Sequence, residues 1–144
     1  MAEKPIRPVT QNHGMGCAVA CVASVLRMSY QKALALFEKP ENAWTVGYFC
    51  PEIVAALEKG GMEYSFKAVL NSHDPVLKTP GTIVFTEISK AYPFGHYLLK
   101  TKKGWMNPWI NCPEIAPAKS ALVPKLPAKP TYAIFSIKPK LSLV

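Results

Sequence analysis

Cys17 is the residue whose type and position first indicate chemistry. It follows the loop His13-Gly14-Met15-Gly16 and begins an apolar run, residues 17–27, with the composition of a buried helix. The start of a helix carries partial positive charge and free N–H groups, which favour a nucleophilic thiolate. Cys21 lies one turn further along, beyond both influences, so we expect it to pack in the core. A cysteine alone does not establish a nucleophile, because free cysteines are among the most buried residues.

A thiol that attacks a carbonyl needs a base to take its proton, and the chain has three histidines. Only His96 opens a predicted strand, in the segment PFGHYLLK, and a strand end holds an imidazole rigidly. His13 lies in the loop before Cys17, and His73 lies in a predicted turn, where solvated or capping roles are more common. We therefore predict that His96 is the general base.

The base in turn needs a carboxylate or an amide to orient its ring. Asp74, the one aspartate of the chain, precedes His96 in a predicted loop, so no aspartate follows the histidine. Asn107 lies beyond a predicted hairpin turn at residues 102–104, and antiparallel pairing brings its strand beside that of His96. Asn107 is thus the predicted orienter, and Asn111 is the alternative.

Acyl transfer also needs hydrogen-bond donors for the charge that develops on the carbonyl oxygen. The backbone N–H of Cys17 is one such donor, and the side-chain amide of Gln11 is placed to be the second. This chemistry requires no metal and no organic cofactor. The four cysteines contain no Cys-x-x-Cys pair, so we expect neither a zinc site nor a disulfide framework.

The elements that must position these residues change in character near residue 62. Before it the patterns predict helices, and after it they predict β-branched or alternating strands. After an extended arm, residues 1–13, the predicted helices are 17–27, 30–39 with Ser29 as N-cap, and one that begins at Cys50-Pro51 and stops at Gly60-Gly61. The predicted strands are 62–70, 82–88, a hairpin at 96–109, and 131–138 after a proline-rich connection at 113–130. This order predicts an α+β fold with a helical layer on one face of an antiparallel sheet.

The bulk composition favours one globular domain over residues 1–144, with 49% hydrophobic residues. No apolar run is long enough for a membrane span, and the first residues lack the features of a signal peptide. We therefore expect a cytoplasmic protein without a membrane partner. Export by a route that needs no N-terminal signal is the alternative.

The net charge of +8 comes from 17 lysines and arginines against 9 acidic residues. Many of the lysines fall in the last third: Lys100, Lys102, Lys103, Lys119, Lys125, Lys129, Lys138 and Lys140. This surface is either solvated or a contact for an acidic partner. Because no stacking aromatics or nucleic-acid motif accompany the lysines, we do not expect nucleic acid as a partner.

Gln11, Cys17, His96 and Asn107, in this chain order, resemble the site of papain-like cysteine peptidases. The likeness is narrower to the bacteriocin-processing, double-glycine leader peptidases, through CAVAC at the helix start, ALALFEK and GHYLL, and it spans roughly residues 9–110. The resemblance implies a papain-like fold, with Cys17 as nucleophile, His96 as base, Asn107 as orienter and Gln11 as oxyanion donor. Asn107-Pro108 stands where that family has Asp-Pro, and Ala18 stands where it has glycine.

Three functions are compatible with this pattern. The first is a thiol hydrolase that cleaves a peptide or isopeptide bond in a peptide or protein substrate, with Cys17 and His96 as a thiolate–imidazolium pair. The second is transglutaminase-like or acyltransferase chemistry, in which an amine resolves the thioester on Cys17. The third is a basic, non-catalytic binding module with the peptidase fold, in which Cys17 is structural.

Overall fold

The computed structural model describes residues 6–115 and 117–137. Within these ranges the α-helices are α1 (Cys17–Leu26), α2 (Tyr30–Leu34) and α3 (Cys50–Lys59), and short 3-10 helices cover Pro40–Trp44 and Pro75–Lys78. The strands of the same ranges are β1 (Tyr64–Ala68), β2 (Ile83–Thr86), β3 (His96–Thr101), β4 (Gly104–Asn107), β5 (Ala121–Val123) and β6 (Pro130–Ser136). No helix in the described part of the chain is long and apolar enough to cross a membrane.

The described strands form one antiparallel sheet in the order β1-β6-β2-β3-β4-β5. Helix α1 contacts β3, and α3 contacts β1 and β6, so both helices lie on the sheet. The core between these layers includes Val19, Leu57 and Leu99. A smaller apolar cluster contains Val84 and Leu98, which alternate with the core residues along their strands. The prediction of helices combined with an antiparallel sheet is confirmed.

Helix α1 is apolar on nearly every side, and the structure buries it accordingly from Ala18 to Ser24. Cys21 is fully buried, which confirms its predicted place in the core. The helix ends at Arg27, which adopts a left-handed conformation with φ 58°. The apolar sequence thus produces a central helix whose first residue, Cys17, meets the edge of the core.

Helix α2 begins as predicted but ends earlier. The Ser29 side chain accepts a hydrogen bond from the Lys32 backbone N–H at 3.2 Å, which confirms the N-cap. The prediction that the helix continues to residue 39 is wrong, because the chain tightens after Leu34. Phe37 N–H bonds the Leu34 carbonyl, three residues back, at 3.2 Å, and this turn buries the Phe37 ring.

The proline-rich connection, residues 113–130, contains a strand that the sequence did not predict. Strand β5 pairs with β4, and Ala121 lies opposite Asn107. A strand of three residues is too short for an alternation of apolar and polar residues to be recognised in the sequence. Its place depends on tertiary contacts instead, including the 2.7 Å bond from the Ile110 N–H to the Lys119 carbonyl.

The β3–β4 hairpin has the tight turn that residues 102–104 predict. Thr101 lies opposite Gly104, so two lysines form the connection. The Thr101 hydroxyl donates to the Gly104 carbonyl at 2.9 Å and accepts from the Lys103 N–H at 3.1 Å. Gly104 has φ 114°, a conformation that glycine adopts without a Cβ clash. This turn sets the register of the two strands.

The described part of the N-terminal arm, residues 6–13, has no regular secondary structure and follows the core. The Ser24 hydroxyl of α1 donates to the Arg7 carbonyl at 3.0 Å. The Gln11 N–H donates to the Pro108 carbonyl at 3.3 Å. The arm therefore connects the start of the Cys17 loop to the end of β4.

Gly95 sets the path of the chain into His96. Its φ is 79°, and a Cβ at this position would overlap the Phe85 ring and approach the Thr86 carbonyl. Gly61 has a similar φ of 93° but open space around it. Substituting Gly61 therefore tests backbone strain alone, whereas substituting Gly95 adds the overlap of the new Cβ with Phe85.

We expect Gly61→Ala to lower the free energy of unfolding by about 1 to 2 kcal/mol, through strain alone. Gly95→Ala should cost about 1 to 3 kcal/mol more, because the Phe85 ring must also move. Urea unfolding of both variants and the wild type measures the difference. Equal losses would show that Phe85 does not pack against Gly95.

Candidate active site

The turn before α1 presents Cys17. Gly16 is the N-cap residue, and a Cβ there would overlap the Tyr30 hydroxyl, so glycine permits the close approach of α2. The same hydroxyl lies 3.0 Å from His13 Nδ1. The Met15 N–H bonds the Ala43 carbonyl at 2.8 Å, which ties the turn to the neighbouring 3-10 helix. His13 therefore supports the turn that carries Cys17.

Gln11 is buried under this turn. Its Nε2 donates to the His13 carbonyl at 2.9 Å and to the Gly14 carbonyl at 3.3 Å. Its Oε1 is buried without a hydrogen-bond partner among the described residues. The side-chain donors of Gln11 are thus directed at the loop carbonyls, and the structure does not place them beside the Cys17 amide. Its predicted role as oxyanion donor stays a prediction.

His96 and Asn107 meet as the hairpin predicts. His96 Nε2 lies 2.7 Å from Asn107 Oδ1, and both side chains are buried. Leu99 opposes Met106 in the ladder, and the same register puts the His96 and Asn107 side chains on one side of the hairpin. Asn111, the alternative orienter, instead accepts from the Lys119 N–H at 2.8 Å. The structure therefore brings Asn107, and not Asn111, to the histidine.

The backbone of Trp109 determines which His96 nitrogen carries the proton. The Trp109 N–H donates to Asn107 Oδ1 at 3.0 Å, so this amide atom is the acceptor oxygen. Because Asn107 Oδ1 has no hydrogen to donate, it must also accept the hydrogen bond that joins it to His96 Nε2. The Nε2 of His96 therefore carries hydrogen, and Nδ1 of the neutral ring is left with its lone pair. Nδ1 is the nitrogen that can accept a proton.

Tyr92 completes the network, although no motif in the sequence marks it as a site residue. Its ring stacks on the His96 imidazole with centroids 3.9 Å apart and an interplanar angle of 5°. Its hydroxyl accepts from Asn107 Nδ2 at 3.1 Å and donates to the Trp109 carbonyl at 2.7 Å. Tyr92, Asn107 and Trp109 thus form a closed set of hydrogen bonds. The only sequence signal was an aromatic residue shortly before His96.

Cys17 lies against β3 at Tyr97, the residue that follows His96. Its thiol receives hydrogen bonds from backbone groups at Tyr97 and Ala18, which lower the thiol pKa. Burial has the larger effect, although the residue keeps some exposure, and it raises the pKa of Cys17 to about 11. Burial therefore outweighs the helix terminus, whose backbone groups act in the predicted direction. No hydrogen bond joins the Cys17 sulfur to the His96 ring among the described residues.

Burial acts on His96 in the opposite direction. It lowers the pKa of the imidazole from 6.5 to about 4, and the hydrogen bond to Asn107 offsets only part of this effect. Near pH 7 the resting site therefore holds a neutral thiol and a neutral imidazole. A proton must move from sulfur to nitrogen during the reaction.

Cys17 and His96 line a common cavity of about 920 Å³. Trp109 and Cys112 line it as well, and Cys112 is partly exposed like Cys17. Tyr48 and Phe49, which precede α3, form part of the wall, as do residues 90–97. All four cysteines are free thiols.

Several of the other sequence candidates lie outside this cavity. His73 and the lysines of the last third are not among its described lining residues, and Lys90 is the one charged residue that is. Lys138 and Lys140 lie outside the described residues. Within the described ranges, no group of three or more histidine, cysteine, aspartate or glutamate residues is placed to hold a metal ion. The predicted acidic partner stays a prediction.

Comparison with protein-family models, with curated proteins and with solved structures finds no match for this chain.

The lowered pKa of His96 makes the stability of the fold depend on pH. Between pH 6.5 and about 4 the unfolded chain binds a proton at this residue that the folded chain does not, so stability falls as the pH falls. His96→Gln removes this effect. We expect the wild type to lose about 3 kcal/mol more than the variant between pH 7 and pH 4.

Urea unfolding at a series of pH values measures this difference. Carboxylates titrate in both proteins, so their contribution cancels in the comparison. Parallel pH profiles for the wild type and His96→Gln would show that His96 titrates normally in the folded protein.

The Tyr92 hydroxyl has a separate test. Tyr92→Phe leaves Asn107 Nδ2 and the Trp109 carbonyl without this partner in a buried place, at a cost of about 1 to 3 kcal/mol in unfolding free energy. Tyr132→Phe is the matched control, because the partly exposed Tyr132 hydroxyl makes no hydrogen bond with the described residues. Chemical denaturation should show a change of less than about 0.5 kcal/mol for this control. Similar losses in the two variants would contradict the network.

Proposed function

We propose that the chain is a thiol-dependent hydrolase that cleaves a peptide or isopeptide bond. The observation that carries this proposal is the 2.7 Å contact from His96 Nε2 to Asn107 Oδ1, beside a cavity that Cys17 also lines. A buried histidine with one nitrogen bound to an amide oxygen and the other able to accept a proton is what a cysteine nucleophile needs.

The supporting elements agree with a papain-like fold. The nucleophile begins a buried helix, and that helix contacts the strand that opens with the histidine. The amide comes from the next antiparallel strand. The proposal therefore combines a mixed helix and sheet architecture with the chain order of Cys17, His96 and Asn107.

The reaction begins when a substrate carbonyl lies over Cys17. His96 Nδ1 takes the thiol proton as Sγ attacks the carbonyl carbon, and the carbonyl oxygen becomes negative. The Cys17 backbone N–H, which has no partner within the helix because it lies in the first turn of α1, donates to that oxygen. His96 then gives its proton to the leaving amine, and a thioester remains on Cys17.

Water completes the cycle. His96 accepts a proton from a water molecule as that water attacks the thioester, and then returns the proton to the departing Cys17 sulfur. Asn107 keeps Nε2 in place throughout, because Oδ1 can only accept. The Tyr92 ring restricts rotation of the imidazole from its face.

The raised pKa of Cys17 and the lowered pKa of His96 favour a neutral resting pair over a preformed ion pair. Charge then develops in the transition state, where an oriented imidazole and backbone N–H groups stabilise it. The contact from sulfur to Nδ1 closes when the electrophile enters the cavity, as catalytic contacts often tighten only in the complex. Gln11 supports this step by holding the loop that carries Cys17.

Alkylation tests the proposal without a known substrate. At pH 7 iodoacetamide should modify Cys17 about 100-fold faster than Cys112, because in the proposed mechanism His96 takes the proton of Cys17 alone. Burial raises the pKa of both thiols, so a high thiolate fraction alone cannot explain the difference. Peptide mapping by mass spectrometry after timed quenching gives both rates in one sample.

Two variants provide the controls. His96→Gln should reduce the Cys17 rate to that of Cys112, whereas Cys21→Ala, one turn along the same helix, should leave the rate unchanged. Equal rates for Cys17 and Cys112 in the wild type, or a Cys17 rate that does not depend on His96, would contradict the hydrolase. Either result would favour a binding module in which Cys17 is structural.

A further inference from the structure

The walls of the cavity contain large apolar side chains that face solvent. Phe49 is 79% exposed, and Val46 and Phe94 are each 71% exposed, although all three line the cavity beside Cys17 and His96. They come from two segments, one before α3 and one before β3. Several large apolar groups exposed around one cavity indicate a surface that a ligand covers.

The floor of the cavity is apolar as well. Phe66 of β1, Phe85 of β2 and Tyr132 of β6 line it. Phe85 lies opposite Tyr132 in the sheet, and Phe66 lies opposite the core residue Ile134, so the three side chains share the face on which the helices pack. The apolar surface therefore continues from the walls onto the sheet.

Charge is nearly absent from this surface. Lys90 is the one charged side chain among the described lining residues, and none of them is an acid. A charged substrate side chain would lose its hydration here without gaining a partner, except beside Lys90. The cavity is thus suited to uncharged, apolar groups.

The solvent exposure of the wall residues favours some apolar ligands over others. A fatty acyl chain would keep one side in water along walls as exposed as Phe49 and Phe94. An extended peptide can direct apolar side chains inward and leave its backbone polar groups hydrated. A segment of two glycines would leave the walls uncovered.

On the basis of the proposed function, we infer that the substrate is an extended peptide segment with large apolar side chains, aromatic or branched aliphatic, next to the bond that Cys17 attacks. Phe49 and Phe94 form the walls that contact these side chains, and they determine specificity without taking part in bond cleavage.

Peptide chloromethyl ketones test this inference, because they alkylate a cysteine only after the peptide binds. Three probes share the electrophile and carry Phe-Leu-Phe, Gly-Gly-Gly or Glu-Glu-Glu, and a fourth carries a dodecanoyl chain. The modification rate of Cys17 is followed by mass spectrometry. Phe-Leu-Phe should react at least about tenfold faster than each of the others, since burial of one large apolar side chain accounts for that factor.

Phe94→Lys should remove most of this preference. Ile88→Lys is the matched control, because Ile88 is 72% exposed but does not line the cavity, and it should keep the preference. Equal rates for the three peptides, a faster dodecanoyl probe, or a preference that survives Phe94→Lys would each overturn the apolar peptide substrate. Those results would not contradict the proposed hydrolase activity as long as the reaction of Cys17 still depends on His96. Failure of every probe at Cys17 overturns both proposals.

Discussion

The backbone N–H of Trp109 donates a hydrogen bond to Asn107 Oδ1, and the rest of the site depends on it. Because a peptide N–H can only donate, the amide orientation follows, and with it the protonated nitrogen of His96. Tyr92 strengthens the same arrangement by accepting from the other end of the amide. A buried histidine is thereby held as a neutral base with a defined tautomer, which a side-chain contact alone could not ensure.

Burial, rather than the helix terminus, dominates the electrostatics of the nucleophile. Backbone groups at Tyr97 and Ala18 lower the pKa of Cys17, yet desolvation raises it to about 11. The same burial keeps His96 neutral well below its ordinary pKa. The two effects together favour a site that separates charge only while the thiol attacks an electrophile.

Much of the fold and part of the site could be predicted from the sequence. Residues 17–27 form a buried helix because their apolar pattern leaves no solvent face, and Asn107 reaches His96 because a two-residue turn sets the hairpin register. Other features depend on contacts distant in sequence. No local sequence pattern predicts that Tyr92 stacks on His96 or that Gln11 donates to the loop carbonyls. The same holds for the pairing of Ala121 with Asn107. The pKa of Cys17 depends on packing depth, which no motif records.

The state of the His96 ring is the most direct measure of this account. Two-dimensional ¹H–¹⁵N spectra of histidine-labelled protein, with the His96 signals assigned by loss in His96→Gln, report which nitrogen carries hydrogen and at what pH the ring becomes charged. The contacts of Asn107 and the burial of His96 predict a neutral ring protonated at Nε2 at pH 7, which stays neutral until the pH approaches about 4. A ring protonated at Nδ1, or one that titrates near 6.5 as an exposed histidine does, would contradict it.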